Sequence, residues 1–276
     1  MMRSIVLLAG FATLLLAPAV SAQVIVAPPA VVLTERDPFG TFLVVNQSTD
    51  AQEIVIDFRF GYPVTDTLGA VSMVYGDSLA GGEWSLGPHV RAFPRMFVLE
   101  PGVQQVVRIT GRPGAELPDG TYWTRIVTTA TPRMPPPEPD AAGVSARVVF
   151  QLQQVTSLLL RKGLAATGVE VEDIRIVMDD ARLGVLARLA PGGNSPFLGE
   201  ARVRVRAADG SVAAEAVDVF AMYLPMTRLL LFERSTLPPG EYTAELVVAS
   251  ERSDLTRDQL LQIEPVRRDF RFRIDP

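Results

Sequence analysis

The chain has 276 residues, of which 21% are charged and 48% hydrophobic, and its formal charge is −5 at pH 7. This is the composition of a chain that folds around an apolar core, and the negative sign leaves no overall basic field of the kind nucleic-acid binders carry. Cysteine is absent and His89 is the single histidine. Disulfides, zinc–thiolate and iron–sulfur sites, cysteine nucleophiles, a lipoprotein-type anchor and multi-histidine metal sites are therefore excluded.

In chain order, the first element is an export signal over residues 1–22. Arg3 precedes an apolar run from Ile5 to Leu16, and Val20-Ser21-Ala22 supplies the small residues expected before a cut after Ala22. The run falls short of the roughly twenty apolar residues that a spanning helix needs. An exported chain without disulfides suits a bacterial periplasm, which is the expected location.

After the signal come short segments rich in β-branched and aromatic residues: Val24–Val26, Val31–Thr34, Thr41–Val45, Glu53–Phe60, Met96–Leu99, Gln104–Thr110, Tyr122–Thr129 and Arg147–Leu160. Turn signals such as Asp37-Pro38-Phe39-Gly40 and Pro118-Asp119-Gly120 separate them. Polar and apolar residues largely alternate over Gln104–Ile109 and Ala201–Arg206, which is the period of a half-buried strand. The best candidate for a short helix is Ser253–Ile263. Many short strands at intervals of roughly 8–12 residues predict an all-β chain of two immunoglobulin-like β-sandwich domains.

A short repeat supports two units. Leu117-Pro118-Asp119-Gly120-Thr121-Tyr122 returns as Leu237-Pro238-Pro239-Gly240-Glu241-Tyr242. Each reads as a turn feeding a strand whose tyrosine reaches back over the corner. The boundary is expected near Arg161-Lys162-Gly163, giving domains 23–162 and 163–276. Ala130–Ala142 carries five prolines and reads as a stiff exposed loop.

The residues that could carry chemistry read as structure instead. Gly76-Asp77-Ser78-Leu79 spells a lipase and esterase signature, but that family's late Asp-x-x-His element is missing. His89 follows Gly87-Pro88 and reads as a loop residue. Asp179-Asp180 reads as a solvated turn, because neighbours on a strand point to opposite faces. Asn46-Gln47-Ser48 fits a glycosylation acceptor, relevant only in a eukaryotic secretory pathway. Arg267, Arg268, Arg271 and Arg273 read as the polar face of a strand whose other face holds Phe270 and Phe272. No enzyme, metal, cofactor, small-molecule substrate or nucleic-acid partner is expected.

The most informative segment is Ser145–Leu160, which runs without proline or glycine after the proline-rich loop. Val148, Phe150 and Leu152 fall on one face. Such a strand either pairs inside its own sheet or offers its apolar row and backbone groups to another chain.

Around it, the first half resembles the N-terminal domain of PapD-like periplasmic pilus chaperones. Thr41-Phe42-Leu43-Val44-Val45-Asn46, Phe93-Pro94 through Phe97, Leu99, Pro101 and Gly102, the Leu117–Tyr122 turn, and Leu158-Leu159-Leu160-Arg161 carry the resemblance over roughly residues 26–161. It implies a chaperone that stabilises fimbrial, pilus or other exported β-rich subunits by donor-strand complementation through Val148, Phe150 and Leu152. It also leaves room for an outer-membrane usher as a further partner. The family's carboxylate-anchoring arginine and lysine align near Ala30 and Ser157, neither of them charged, so Arg36 or Arg161 is the expected substitute. The alternative is a structural or adhesive immunoglobulin-like exported protein without chaperone activity.

Overall fold

The computed structural model describes residues 24–76, 82–133 and 149–275. The export signal, Ser78 and Val148 lie outside the described residues. The first sandwich contains β1 (Val24–Ala27), β2 (Ala30–Thr34), β3 (Phe39–Asn46), β4 (Gln52–Arg59), β5 (Gly61–Thr65), β6 (Val71–Tyr75), β7 (Val90–Phe93), β8 (Met96–Leu99), β9 (Gln104–Gly111), β10 (Gly120–Pro132) and β11 (Leu152–Lys162). The second contains β12 (Thr167–Met178), β13 (Arg182–Gly193), β14 (Phe197–Ala207), β15 (Val212–Met222), β16 (Met226–Glu233), β17 (Gly240–Ala249) and β18 (Val266–Ile274). The fold is all-β, as two immunoglobulin-like sandwiches.

In the first sandwich the sheet β1-β3-β9-β7 faces the sheet β2-β11-β10-β4-β8. The alternation read over Gln104–Ile109 is realised in β9: Val107 and Ile109 are buried and Arg108 is exposed. They meet Phe42, Val44, Ile54, Ile56, Tyr122, Leu158 and Leu160 in one core. In the second sandwich β12-β13-β16 faces β15-β14-β17-β18. There Ala201, Val203 and Val205 point inward. Arg202 and Arg204 point outward and pair with Glu200 and Glu215.

The repeated turn motif does the same thing twice. Tyr122 Oη donates to the Pro118 carbonyl at 2.8 Å, and Tyr242 Oη to the Pro238 carbonyl at 2.7 Å. Asp179 closes the β12–β13 turn by accepting from the amides of Ala181 and Arg182. Phe270 and Phe272 pack on the second core while their arginine neighbours face outward.

Several expectations are corrected. The expected helix over Ser253–Ile263 is one short turn, Arg257–Gln259. Strands β5, β6 and β7 carry no alternation long enough to read. Asn46 is not an open glycosylation acceptor: it is fully buried, and its amide donates to the carbonyls of Asp50 and Leu99 at 2.8 Å. The expected strand over Arg147–Leu160 begins only at Leu152, and Val149–Gln151 are irregular.

A third apolar cluster joins the sandwiches. Ala30, Phe60, Tyr62, Trp123 and Leu159 of the first pack against Leu198, Tyr223, Leu255 and Leu260 of the second. The β5–β6 hairpin lies across this seam. Its Thr65 Oγ1 accepts from the Thr227 amide at 2.7 Å, and its Thr67 carbonyl accepts from Arg175 at 3.4 Å.

Candidate functional site

The candidate site is the outer edge of β11, and a strand switch makes it. β1 pairs with β3 in one sheet, Pro28-Pro29 cross over, and β2 joins the other sheet alongside β11. Proline denies the crossover ladder donors, which suits a break between two strands. β11 pairs with β10 from Leu152 to Lys162, but with β2 only from Ser157 to Arg161. Among the described residues no strand covers the other side of Leu152–Thr156.

Peptide groups alternate sides along a strand. The Ser157 amide donates to the Pro29 carbonyl at 3.0 Å, so it points to the outer edge. The same parity directs the N–H and C=O of Gln153 and Val155 to the uncovered stretch. Among the described residues, Gln154 crosses the edge there: its side-chain amide donates to the Val24 carbonyl at 2.6 Å.

The side chains of this segment divide between core and solvent. Thr156, Leu158 and Leu160 are buried, and Leu152 packs half-buried at the rim of the first core. Phe150 has the same parity but lies beyond the strand, 78% exposed. Of the three expected contact residues, the structure therefore shows one solvent-facing and one partly engaged with its own sandwich. The third, Val148, is outside the described residues.

The two expected anchors meet at one place, at the far end of the β2–β11 ladder. Arg36 and Arg161 both line a cavity of about 470 Å³ with Glu35, Asp119, Leu164 and Leu261. Arg161 is already engaged there: its guanidinium donates to the Asp258 carbonyl at 3.3 Å and to the Gln259 carbonyl. Burial lowers its pKa, and the nearby Asp258 charge opposes that. Arg36 is exposed and makes no ion pair among the described residues.

A third arginine was not recognised in the sequence. Ala30 and Ser157 are direct partners in the β2–β11 ladder. Lying across Ser157 is Arg125 of β10, only 4% exposed. Its Nε donates to the Gly61 carbonyl at 3.0 Å, its Nη1 to Ser157 Oγ, and its Cζ sits 4.8 Å from the centre of the Tyr223 ring. Its Nη2 has no partner among the described residues, and neither do Trp123 Nε1 and Tyr223 Oη beside it. Buried donors without acceptors cost free energy, so an acceptor entering this seam would be favoured. In the sequence Arg125 is one polar residue in the predicted strand Tyr122–Thr129; only the fold shows that its face is covered by the second sandwich.

No family model matches the chain, and no curated protein matches it. Among solved structures it is similar to the CsuC–CsuE chaperone–tip adhesion subunit complex of Acinetobacter baumannii, at 12% identity and a TM-score of 0.45, over 89% of this chain and 98% of that one. It is similar to the YadV chaperone at 8% identity and a TM-score of 0.46, over 91% and 100% of the two chains. It is also similar to the Salmonella enterica SafA pilin–SafB chaperone complex, at 14% and 0.42, over 91% and 96%. Each is a likeness at low identity, and the role of this chain has to be read from its own residues.

Proposed function

We propose that this protein is a periplasmic, non-enzymatic chaperone that holds exported β-rich subunits of the pilin kind by pairing with them along β11. The observation that carries this reading is the half-open strand: Leu152–Thr156 is laddered on one side only, and the exposed Phe150 stands just before it. A subunit lacking a strand would gain main-chain hydrogen bonds from Gln153 and Val155. If Val149–Gln151 straighten on binding, Phe150 and Val148 continue the face of Leu152 into its groove. A fully buried side chain of this size is worth about 2 kcal/mol, less the cost of ordering the segment. The exposure of Phe150 speaks against the structural or adhesive alternative, in which that side chain would fill the protein's own sheet.

The geometry also supports a different anchor. β2 takes over the edge at Ser157, so a strand paired with Leu152–Thr156 must end against Pro29 and Ala30. Arg125 is the guanidinium at that point. Arg161 lies four residues further along β11, about 13 Å at the usual rise. If the seam over Arg125 opens on binding, a carboxylate ending the partner strand would supply the acceptor that its buried Nη2 lacks.

The test is recovery of periplasmic partners by tagged protein. Wild type should retain a small β-rich subunit that Phe150→Asp, still folded by circular dichroism, does not, and Arg125→Met should retain it more weakly. Equal recovery by wild type and Phe150→Asp, or recovery by neither, overturns the proposal.

A further inference from the structure

A second exposed surface lies on the opposite sheet of the first sandwich, away from β11. Register places two rows across β3, β9 and β7 there: Phe39 beside Thr110 beside Arg91, and Thr41 beside Arg108 beside Phe93. All six face outward, because the buried Phe42, Val107 and Ile109 define the inner face. The two phenylalanines stand at diagonal corners, 62% and 75% exposed; Arg108 occupies a middle position between them, and Arg91 stands at the corner of β7 two residues from Phe93. Together these residues line a groove of about 660 Å³.

The charge of this groove is opposite to that of the molecule. The chain carries −5 overall. No carboxylate lines the groove, and neither Arg91 nor Arg108 makes an ion pair among the described residues. Some other outward arginines are matched: Arg202, Arg204 and Arg267 each meet a carboxylate within 3.0 Å. Large exposed apolar side chains beside unneutralised guanidinium groups mark a surface that another molecule completes.

β7 is also the last strand of its sheet. The Arg112 amide donates to the His89 carbonyl. By alternation Arg91 and Phe93 then bond inward to β9, and the peptide groups of Val90 and Ala92 face the edge, where the Val90 carbonyl already accepts from Arg91 Nη1 at 2.7 Å. A segment lying along β7 would meet backbone donors and acceptors, two guanidinium groups and two phenyl rings.

We infer that this groove receives an extended acidic segment of a partner protein, carrying an aromatic side chain that seats between Phe39 and Phe93 while its carboxylates meet Arg91 and Arg108. Arginine suits both parts of such a ligand, since its planar group pairs with carboxylates and stacks on rings.

The probe is a random peptide library displayed on phage, selected against the full wild-type protein. Selected peptides should combine an aromatic residue with flanking aspartate or glutamate. Their binding should fall about tenfold or more with Arg91→Glu plus Arg108→Glu, and comparably with Phe93→Ser. All these side chains are exposed, so the variants should keep the wild-type circular dichroism and melting curve. A peptide with its acids changed to lysine should bind the double-glutamate variant better than wild type, which separates a charge contact from a general loss of folding. Phe150→Asp should bind the peptides as wild type does, so this result is independent of the β11 proposal. Selection of peptides without acidic residues, binding unchanged in the arginine variants, or displacement by a basic peptide as readily as by an acidic one would overturn the assignment. Tight binding of single-stranded DNA at the same residues, with no acidic peptide selected, would overturn it in favour of a polyanion.

Discussion

Tyr122 and Tyr242 occupy equivalent corners of the two sandwiches, each fixing the turn before it through one hydrogen bond to a proline carbonyl. Each phenol is buried at its ring and bonded at its tip, so Tyr→Phe removes the bond and leaves the packing. The expected loss is about 1 kcal/mol at either position. Chemical denaturation of Tyr122→Phe and Tyr242→Phe should show similar, additive losses, since the corners lie in separate cores. Burial, followed by the charges of Asp119 and Glu116, raises the Tyr122 pKa above its ordinary value of 10.0. The bond's contribution is therefore complete below pH 10 and is lost as the pH climbs through the raised value. This corner was legible from Leu-Pro-x-Gly-x-Tyr because it is local: turn residues and tyrosine lie within six positions. Arg125 was not legible, because what distinguishes it from any outward strand residue is Tyr223, nearly a hundred positions away.

At the scale of the element, β11 shows why a pattern can give a strand's existence and miss its start. Val148, Phe150 and Leu152 alternate with Val149, Gln151 and Gln153 in the sequence, but a strand persists only where something pairs with it. β10 pairs with β11 back to Leu152. The row before that has no such partner among the described residues. The open edge carries its own prediction. Val155→Pro removes an outward-facing N–H and no bond to β10, so the sandwich should keep its stability while partner capture falls. Thermal melting beside the recovery assay checks this: a melting temperature lowered together with capture would mean that Val155 bonds inward and that the edge has been assigned the wrong side. β5 and β6 were missed for a related reason. They are short, interrupted by Pro63 and joined through Asp66–Gly69, and they are held by the second sandwich more than by their own pattern.

At the scale of the whole molecule, Asn194 links the two sandwiches to the segment between them. Asn194 donates through Nδ2 to the carbonyls of Asp119 and Leu164, accepts through Oδ1 from the Ala166 amide, and accepts from the Thr121 amide at its own carbonyl. It thus ties the first sandwich, the connection between β11 and β12, and the second. Gly163 in that connection has φ +54, and a Cβ there would meet the Asp119 carboxylate, so the path is specific to glycine. Asn194→Ala should loosen the seam and leave both cores intact. Hydrogen exchange should quicken at residues 163–166 and along the β5–β6 hairpin while the amides of β9 and β14 keep their protection. Uniform quickening across both cores would show that the seam and the sandwiches unfold as one unit. Two sandwiches could be read from the number and spacing of strands. The seam could not, since its aromatic residues come from segments with no common motif.

The crossover at Pro28-Pro29 also acts as a ruler. Because β2 occupies the edge of β11 from Ser157 onward, a strand added as proposed would have to stop there, and that would set which of its residues faces which. A slip of one residue would turn every side chain of the guest to the wrong face. The stop therefore does for register what the side chains of the edge do for affinity. If a strand adds to β11 as proposed, moving the crossover two residues along the chain would lengthen or shorten it by about 7 Å, so its length would be set by this protein's own first strands.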